Sequence, residues 1–183
     1  MILKNMLLTM TFLWVINAYA VEKQYEKSTK EASCLIKKYA ISSNEDIKKS
    51  ILNNLSSLSD DNPDNINVIR MYSGVLSSRG EYKKAISVLE AFNQKHKNTS
   101  LLLHECMLKD RVGDYKPSCY KKVISLKRAG GVNDIDYLMA LFMMDDKDFN
   151  KEKDIYMKKM NDNHDLEVFK NKKEKLLKVF YPN

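Results

Sequence analysis

A short turn motif that recurs about every 33 residues constrains the fold of this chain more than any other feature. Residues 79–83 (RGEYK) recur 33 positions later as residues 112–116 (VGDYK). Residues 148–151 (DFNK) follow the matching part of the second copy by 34 positions and lack the glycine. Each copy lies between two stretches whose apolar residues recur at helical spacing. A repeat of this length, built from two helices and a turn, is typical of an α-solenoid.

Apolar periodicity also predicts where the helices lie. The hairpin helices are predicted over residues 67–78 and 84–95, 100–111 and 118–127, and 134–144 and 151–160. A helix over residues 25–39 and a second helix, capped by Ser43 or Asn44, precede them. That second helix has one apolar stripe, formed by Ile47, Ile51, Leu55 and Leu58. A last amphipathic helix carries Leu166, Phe169, Leu176, Leu177 and Phe180. We find no strand pattern of convincing length, so the predicted fold class is all-α.

The residues of the turn motif suit a tight reversal between two helices. Gly80 and Gly113 can adopt the left-handed backbone that ends one helix. Glu81 and Asp114 then begin the next helix, whose positive N-terminal end favours acidic side chains. Pro117 is predicted in a first helical turn, where its missing N–H is not needed.

These residues resemble the tetratricopeptide family. Gly80, Tyr82, Ala85 and Phe92 match positions where that family places a turn glycine, an aromatic residue, a small alanine and a large apolar residue. The last unit is also similar to the related Sel-type repeat, through residues 127–130 (KRAG), 137–141 (YLMAL) and 156–159 (YMKK). The resemblance covers about residues 66–160 and implies a short tetratricopeptide-like α-solenoid of about three helical hairpins. It implies an architecture and no particular activity.

The first twenty residues have the pattern of a secretory signal peptide. Lys4 precedes an apolar run over residues 6–16, and Ala18-Tyr19-Ala20 is a small-x-small cleavage site. The run is shorter than the roughly 20 residues that span a bilayer. A buried N-terminal helix is the alternative. We therefore predict a periplasmic or secreted protein, cleaved near Ala20, in four segments. These are the signal peptide (1–20), an N-terminal helix pair (21–60), tetratricopeptide-like repeats (61–163) and a C-terminal capping helix (164–183).

The composition excludes several protein classes. Hydrophobic residues make up 44% of the chain and charged residues 30%, which is too apolar for a disordered tail. With only five Gly and three Pro, collagen-like and turn-rich disulfide scaffolds are excluded, and a large sheet is disfavoured. The net charge of +7 does not by itself indicate nucleic acid, because export disfavours that partner.

Export makes oxidation of the three cysteines expected. Cys106 and Cys119 lie on the two helices of the second predicted hairpin. In the family that the chain resembles, the position of Cys106 packs across to the partner helix, so we expect a Cys106–Cys119 disulfide. Two buried free thiols, or a bridge to Cys34, are the alternatives.

The sequence carries no recognisable catalytic or metal-binding motif. His104 and Cys106 lie two positions apart and point to different sides of a helix, and HExxH and CxxC are both absent. GxSxG, P-loop and dinucleotide glycine patterns are absent as well. Cys34 as a nucleophile would need a base, and no histidine lies within 60 residues of it. We therefore predict no metal, no cofactor and no enzymatic activity, with a cysteine-dependent enzyme centred on Cys34 as the alternative of another class.

The resemblance also predicts a partner-binding surface. In tetratricopeptide repeats the first helix of each unit lines the concave face. In this chain the corresponding positions include aromatic, Met and Arg side chains, which are common at interfaces. The predicted concave residues are Asn67, Arg70, Leu103, Met107, Arg111, Tyr137, Leu141 and Met144. The alternative is that the N- or C-terminal helices cover the apolar members of this set.

These features together predict an exported protein-binding module. The first hypothesis for its partner is an antibacterial toxin, which would make the chain a periplasmic immunity protein; this rests on analogy at the level of the fold. The second is an envelope, pilus or secretion machine for which the chain is an adaptor or assembly factor. A basic strip at the C-terminus could also contact anionic lipid, but a solvated helix face is favoured over peripheral membrane contact. The strip consists of Lys170, Lys172, Lys173, Lys175 and Lys178.

Overall fold

The structure is a computed structural model. It describes the backbone of residues 2–160 and 164–182 and the side chains of residues 21–160 and 165–182. Over these residues the backbone is helical without any strand, which confirms the predicted all-α class. The α-helices are α1 (Ile2–Ile41), α2 (Glu45–Asp61), α3 (Ile66–Ser78), α4 (Tyr82–Lys95), α5 (Thr99–Arg111), α6 (Pro117–Ala129), α7 (Ile135–Met143), α8 (Phe149–Lys159) and α9 (Lys173–Phe180). A 3₁₀ helix, His164–Lys170, precedes α9.

Helices that are adjacent in sequence pack together from α1 to α2 and from α4 to α8, as expected for a solenoid-like fold. Two compact units are present, Met1–Tyr72 and Ser73–Asn183. The division lies inside α3, whereas our predicted segments end at residues 20, 60 and 163; those segment boundaries stay predictions.

The first unit joins α1 to α2 and to the start of α3. Ala32 and Leu55 are fully buried in its core. The Asn44 side chain accepts hydrogen bonds from the backbone N–H of Asp46 and Ile47, which confirms Asn44 as one of the two predicted caps of α2. Within the described side chains of this unit, no helix is both long and apolar enough to cross a membrane.

Asn65 links α1 to α3 through its side chain. Its Nδ2 donates to the Tyr25 carbonyl at 2.9 Å and to Ser28 Oγ at 2.8 Å, both on α1. Its Oδ1 accepts from the backbone N–H of Val68 at 3.3 Å and so caps α3. The amide is buried, and these bonds satisfy both its donor and its acceptor atoms.

The second unit stacks α4 on α5, α5 on α6, α6 on α7 and α7 on α8. In addition, α5 contacts α7 and α9, so α5 is the central helix of this unit. Its core is formed by fully buried side chains from successive helices. They include Leu89, Leu108, Tyr120, Val123, Leu138 and Leu141.

The repeated turns share one hydrogen-bond pattern at the end of the first helix. Gly80 and Gly113 have φ of 75° and 85°. The next backbone N–H, of Glu81 or Asp114, donates to a carbonyl five residues earlier, at 2.9 Å and 2.8 Å. This Schellman-type ending requires a left-handed residue, which explains the glycine at both positions.

A buried ion pair network connects α4 to α5. Lys109 Nζ lies 2.5 Å from Glu105 Oε1 and 2.7 Å from Glu90 Oε1, while Asn93 Nδ2 donates to Glu105 Oε2 at 2.8 Å. Burial disfavours the charge on Lys109, but the hydrogen bonds to both carboxylates outweigh it and raise the Lys109 pKa. The sequence pattern did not indicate this network, because each residue alone is typical of a solvated helix face.

The C-terminal region differs from the single amphipathic helix that we predicted. The chain forms a 3₁₀ helix, turns at Asn171 and Lys172, and then forms α9. The Phe169 ring packs on Phe142 and Phe149, with ring centroids 5.3 Å and 5.2 Å away. Because of the break, Phe169 packs near α7 and α8, whereas α9 packs against α5.

Candidate protein-binding site

A cavity of about 240 Å³ lies between α5, α7 and the end of α9. On α5, the lining residues recur at the spacing of one helix face, so a single stripe forms one wall. The second wall comes from the first half of α7, and the third from the end of the chain. The lining residues are Ser100, Leu103, His104, Met107, Ile135, Asp136, Met139, Phe180 and Tyr181.

Three side chains of α4 and α5 hold the end of the chain beside this cavity. Arg111 Nε donates to the Tyr181 carbonyl at 3.0 Å, and Tyr82 Oη donates to the Pro182 carbonyl. The His104 ring lies flat on the Tyr181 ring, with centroids 5.6 Å apart and planes 7° from parallel. We call Tyr82, His104 and Arg111 the α5 seat.

The geometry of the seat orients its donors. The Arg111 guanidinium lies 5.4 Å from the Tyr82 ring centroid, over the ring, and Tyr82 meets the Tyr181 ring edge-on at 6.3 Å. Cation–π contact of this kind restrains a long arginine side chain. Burial and the neighbouring Tyr82 raise the pKa of the Tyr181 hydroxyl, so it stays protonated.

His104 is held as a neutral ring. Burial lowers its pKa to about 4. Ser77 Oγ donates its hydrogen to the Ser73 carbonyl at 2.7 Å and lies 3.0 Å from His104 Nε2. Because Ser77 has one hydrogen, the imidazole donates in the second contact and carries its proton on Nε2.

The polar edge of the cavity is already paired. Ser100 Oγ donates to the Asp136 carboxylate. Lys127 Nζ lies 3.6 Å from Asp136 Oδ2 and 2.5 Å from Asp134 Oδ2. Asp134 also caps α7, since its Oδ1 accepts from the Tyr137 N–H at 3.0 Å. These contacts fix the start of α7 against α5 and α6.

The structure distributes the predicted concave residues of the second unit over three settings. Leu103 and Met107 line the cavity, and Arg111 belongs to the seat. Tyr137, Leu141 and Met144, on or next to α7, lie outside the cavity lining. Tyr137 and Leu141 are buried, Tyr137 Oη accepts from Arg128 Nε at 2.9 Å, and Met144 is half-buried.

Asn67 and Arg70 belong to the first unit. Arg70 is exposed, and its Nη1 lies 3.5 Å from Asn67 Oδ1 on the same helix.

Sequence reasoning missed the α7 and C-terminal walls of the cavity. Ile135, Asp136 and Met139 lie on a different face of α7 from the one that the family resemblance implied. The i, i+4 spacing of Ile135 and Met139 could have indicated that face. No local signal could have placed Phe180 and Tyr181 against α5, because that contact is long-range.

The cysteines and histidines form no metal site among the side chains that the structure describes. Cys106 and Cys119 are bonded, with an S–S distance of 1.96 Å and Cα atoms 5.6 Å apart, which confirms the expected pair. Cys34 is a free, exposed thiol on α1. The side chain of His164 lies outside the described residues.

The C-terminal lysines do not form a uniform basic strip. Lys173 Nζ pairs with Asp145 at 2.5 Å, and Lys170 Nζ pairs with Glu167 at 2.7 Å. Lys172, Lys175 and Lys178 are exposed. The solvent-facing side of α9 therefore carries two lysines, and the third lies just before it.

In comparisons with known proteins, no family model matches the chain. No curated protein and no solved structure matches it either.

Proposed function

We propose that this chain is an exported, non-catalytic binding module whose tetratricopeptide-like hairpins recognise another polypeptide. One observation carries the proposal: the α5 seat already holds a polypeptide. Arg111 and Tyr82 donate to two consecutive main-chain carbonyls, and His104 stacks on an aromatic side chain. Main-chain carbonyls are present in every protein, so this chemistry suits a protein ligand.

The size and lining of the neighbouring cavity support a side-chain anchor. Its volume of about 240 Å³ lies below the roughly 300–1,000 Å³ of typical small-molecule sites. Leu103, Met107, Ile135 and Met139 make the wall mostly apolar, with methionines that can adapt to different shapes. An apolar side chain from a partner would be desolvated there, as at the centre of most interfaces.

The polar groups beside the cavity already have hydrogen-bond partners within the chain, which supports binding without catalysis. His104 uses its Nε2 proton on Ser77, and Asp136 accepts from Ser100. Cys34, the residue of the enzyme alternative, belongs to the first unit and is not among the residues that line this cavity. A nucleophile paired with a base would be expected for covalent catalysis.

The compartment and the partner class are proposed together. A disulfide is compatible with an oxidising compartment, and the sequence pattern of residues 1–20 supports export. Within that setting we propose a secreted toxin as the partner, which the chain would neutralise as a periplasmic immunity protein.

The test starts with residues 21–183 as tagged bait in native envelope and culture fractions, read by mass spectrometry. The dominant partner is then purified and titrated by calorimetry. Ile135→Asp places a charge in the cavity wall and should weaken binding about tenfold or more. Val132→Asp is the matched control, because Val132 is 42% exposed and lies outside the lining.

The identity of the partner decides between the proposed roles. A toxin whose killing is blocked when the chain is co-expressed supports an immunity protein. Envelope or secretion subunits would instead indicate an adaptor. Equal binding by both variants would contradict the placement of the site, and the absence of any stoichiometric partner would contradict the function.

A further inference from the structure

The chain's own C-terminal segment occupies the α5 seat through contacts that are general in chemistry. Two of them are made to carbonyl groups, those of Tyr181 and Pro182, and any extended polypeptide offers the same acceptors. The third is the stack of one aromatic ring on His104, and the fourth is the edge contact with Tyr82. Only the aromatic ring demands a particular side chain.

The segment that makes these contacts is short. The α9 helix has eight residues, and its first residue is preceded by Lys172, whose side chain makes no capping hydrogen bond. An isolated helix of this length is unstable in water, so α9 depends on its contacts with the rest of the unit. Leu176, Leu177 and Tyr181 are buried, whereas Lys175, Lys178 and Val179 face solvent. Its anchors are these three buried side chains, the contacts with the α5 seat and the Lys173–Asp145 ion pair, so the segment can undock while the rest of the unit stays folded.

We propose that the α5 seat is the recognition subsite for the partner, and that residues 173–182 are an intramolecular competitor which the partner replaces. The partner is a polypeptide segment with an aromatic side chain, placed on His104, and with the carbonyls of that residue and the next bound by Arg111 and Tyr82. This inference rests on the proposed function and gives the partner its chemistry. Replacement removes the C-terminal wall of the cavity, formed by Phe180 and Tyr181, and leaves the α5 and α7 walls to hold the partner's apolar side chain.

Competition from the chain itself has a quantitative consequence. A ligand that binds only when the segment is undocked has an apparent Kd equal to its intrinsic Kd divided by the undocked fraction. If the segment is docked about 90–99% of the time, the apparent affinity is about 10–100-fold weaker than the intrinsic one. Loosening the segment should therefore strengthen binding, although it removes native contacts.

The test uses a fluorescent peptide of residues 172–183 and the chain of residues 21–183. The wild-type chain should bind this peptide weakly, and Tyr181→Ala, which loosens the native segment, should bind it at least about tenfold more tightly. Adding Arg111→Ala to that variant should remove most of the gain, because it removes a donor to the bound carbonyl. A peptide with alanine in place of its tyrosine should not bind.

The matched control for the chain is Val179→Ala, which alters a residue of α9 that is 66% exposed. It should bind the peptide like the wild type. Equal peptide binding by the wild type and Tyr181→Ala, or binding that survives Arg111→Ala, would overturn the inference.

A second measurement keeps the inference testable if circular dichroism shows that Tyr181→Ala does not fold. Excess peptide added to the wild type should accelerate hydrogen exchange across residues 173–181, and unchanged exchange would overturn the inference. The two proposals fail separately. A partner that Ile135→Asp weakens but Tyr181→Ala does not strengthen would leave the protein-binding function and remove the competing segment. If the peptide competes with the native segment but no natural partner is found, the competing segment stands and the protein-binding function is contradicted.

Discussion

At the scale of single residues, the end of α7 shows what the third repeat uses in place of the turn glycine. Asp145 has φ of 51°, and the Asp146 N–H donates to the Leu141 carbonyl at 3.0 Å, the same pattern that follows Gly80 and Gly113. The glycine missing from the third motif is therefore replaced functionally by an aspartate, one of the residue types that tolerate this conformation best. Asp145 also pairs with Lys173.

Asp145→Gly should stabilise the chain by about 0.5–1 kcal/mol, because glycine adopts a positive φ without steric cost. Loss of the ion pair with Lys173 offsets little of this stabilisation, since the Asp145 side chain is 84% exposed. Urea unfolding measures the change. Asp145→Asn keeps a side chain and removes the charge, so it separates backbone strain from the ion pair. A lower midpoint for Asp145→Gly than for the wild type would contradict this interpretation.

His104 should make stability depend on pH. Its pKa is about 4 in the folded chain against an ordinary value of 6.5, so the unfolded chain binds a proton more readily in that range. The contribution of neutral His104 to the free energy of unfolding is complete above about pH 6.5. It is lost as the pH falls toward 4, by up to about 3 kcal/mol. Unfolding free energies from pH 4 to 8 should show a shallower slope for His104→Gln. Equal slopes of unfolding free energy against pH for the wild type and the variant would show that burial does not shift the pKa of His104.

At the scale of elements, the disulfide joins the two helices of the second hairpin. Cys106 is buried on α5, and Cys119 lies near the start of α6, 13 positions later. A short closed loop of this size is expected to add about 3 kcal/mol in the chain-entropy model.

Replacing both cysteines, as Cys106→Ala with Cys119→Ala, should lower the unfolding free energy by about 3 kcal/mol. Cys34→Ala is the matched control and should change it by less than about 0.5 kcal/mol, because that thiol is exposed and unbonded. Denaturant unfolding under non-reducing conditions measures both. A double variant as stable as the control would show that the bridge contributes little.

At the scale of the whole molecule, export is the property on which the proposed function depends. Cleavage after Ala20 should produce a mature chain that begins at Val21 and contains the Cys106–Cys119 bond. Intact mass and N-terminal sequencing of the protein purified from its native host check both points. A chain that retains residues 1–20, or three free thiols, would contradict an exported role.

The helices and turns were predictable because their signals are local. The predicted hairpin helices agree with α3 to α8 within about two residues, since apolar period, caps and left-handed glycines act over a few positions. Cys106 and Cys119 were also predictable, because a hairpin brings its own two helices together. Leu103, Met107 and Arg111 share one face of α5 for the same local reason.

Only the tertiary structure decided what meets that face of α5. Packing between distant side chains determines three features of the structure. These are the 3₁₀ break before α9, the docking of Tyr181 and Pro182 on the α5 seat, and the positions of Ile135 and Met139 in the cavity wall. A sequence pattern shows that a helix face is apolar and does not show which other segment buries it. Helical period and turn chemistry therefore determined the elements, whereas long-range packing determined that the chain's own end lies in its candidate binding site.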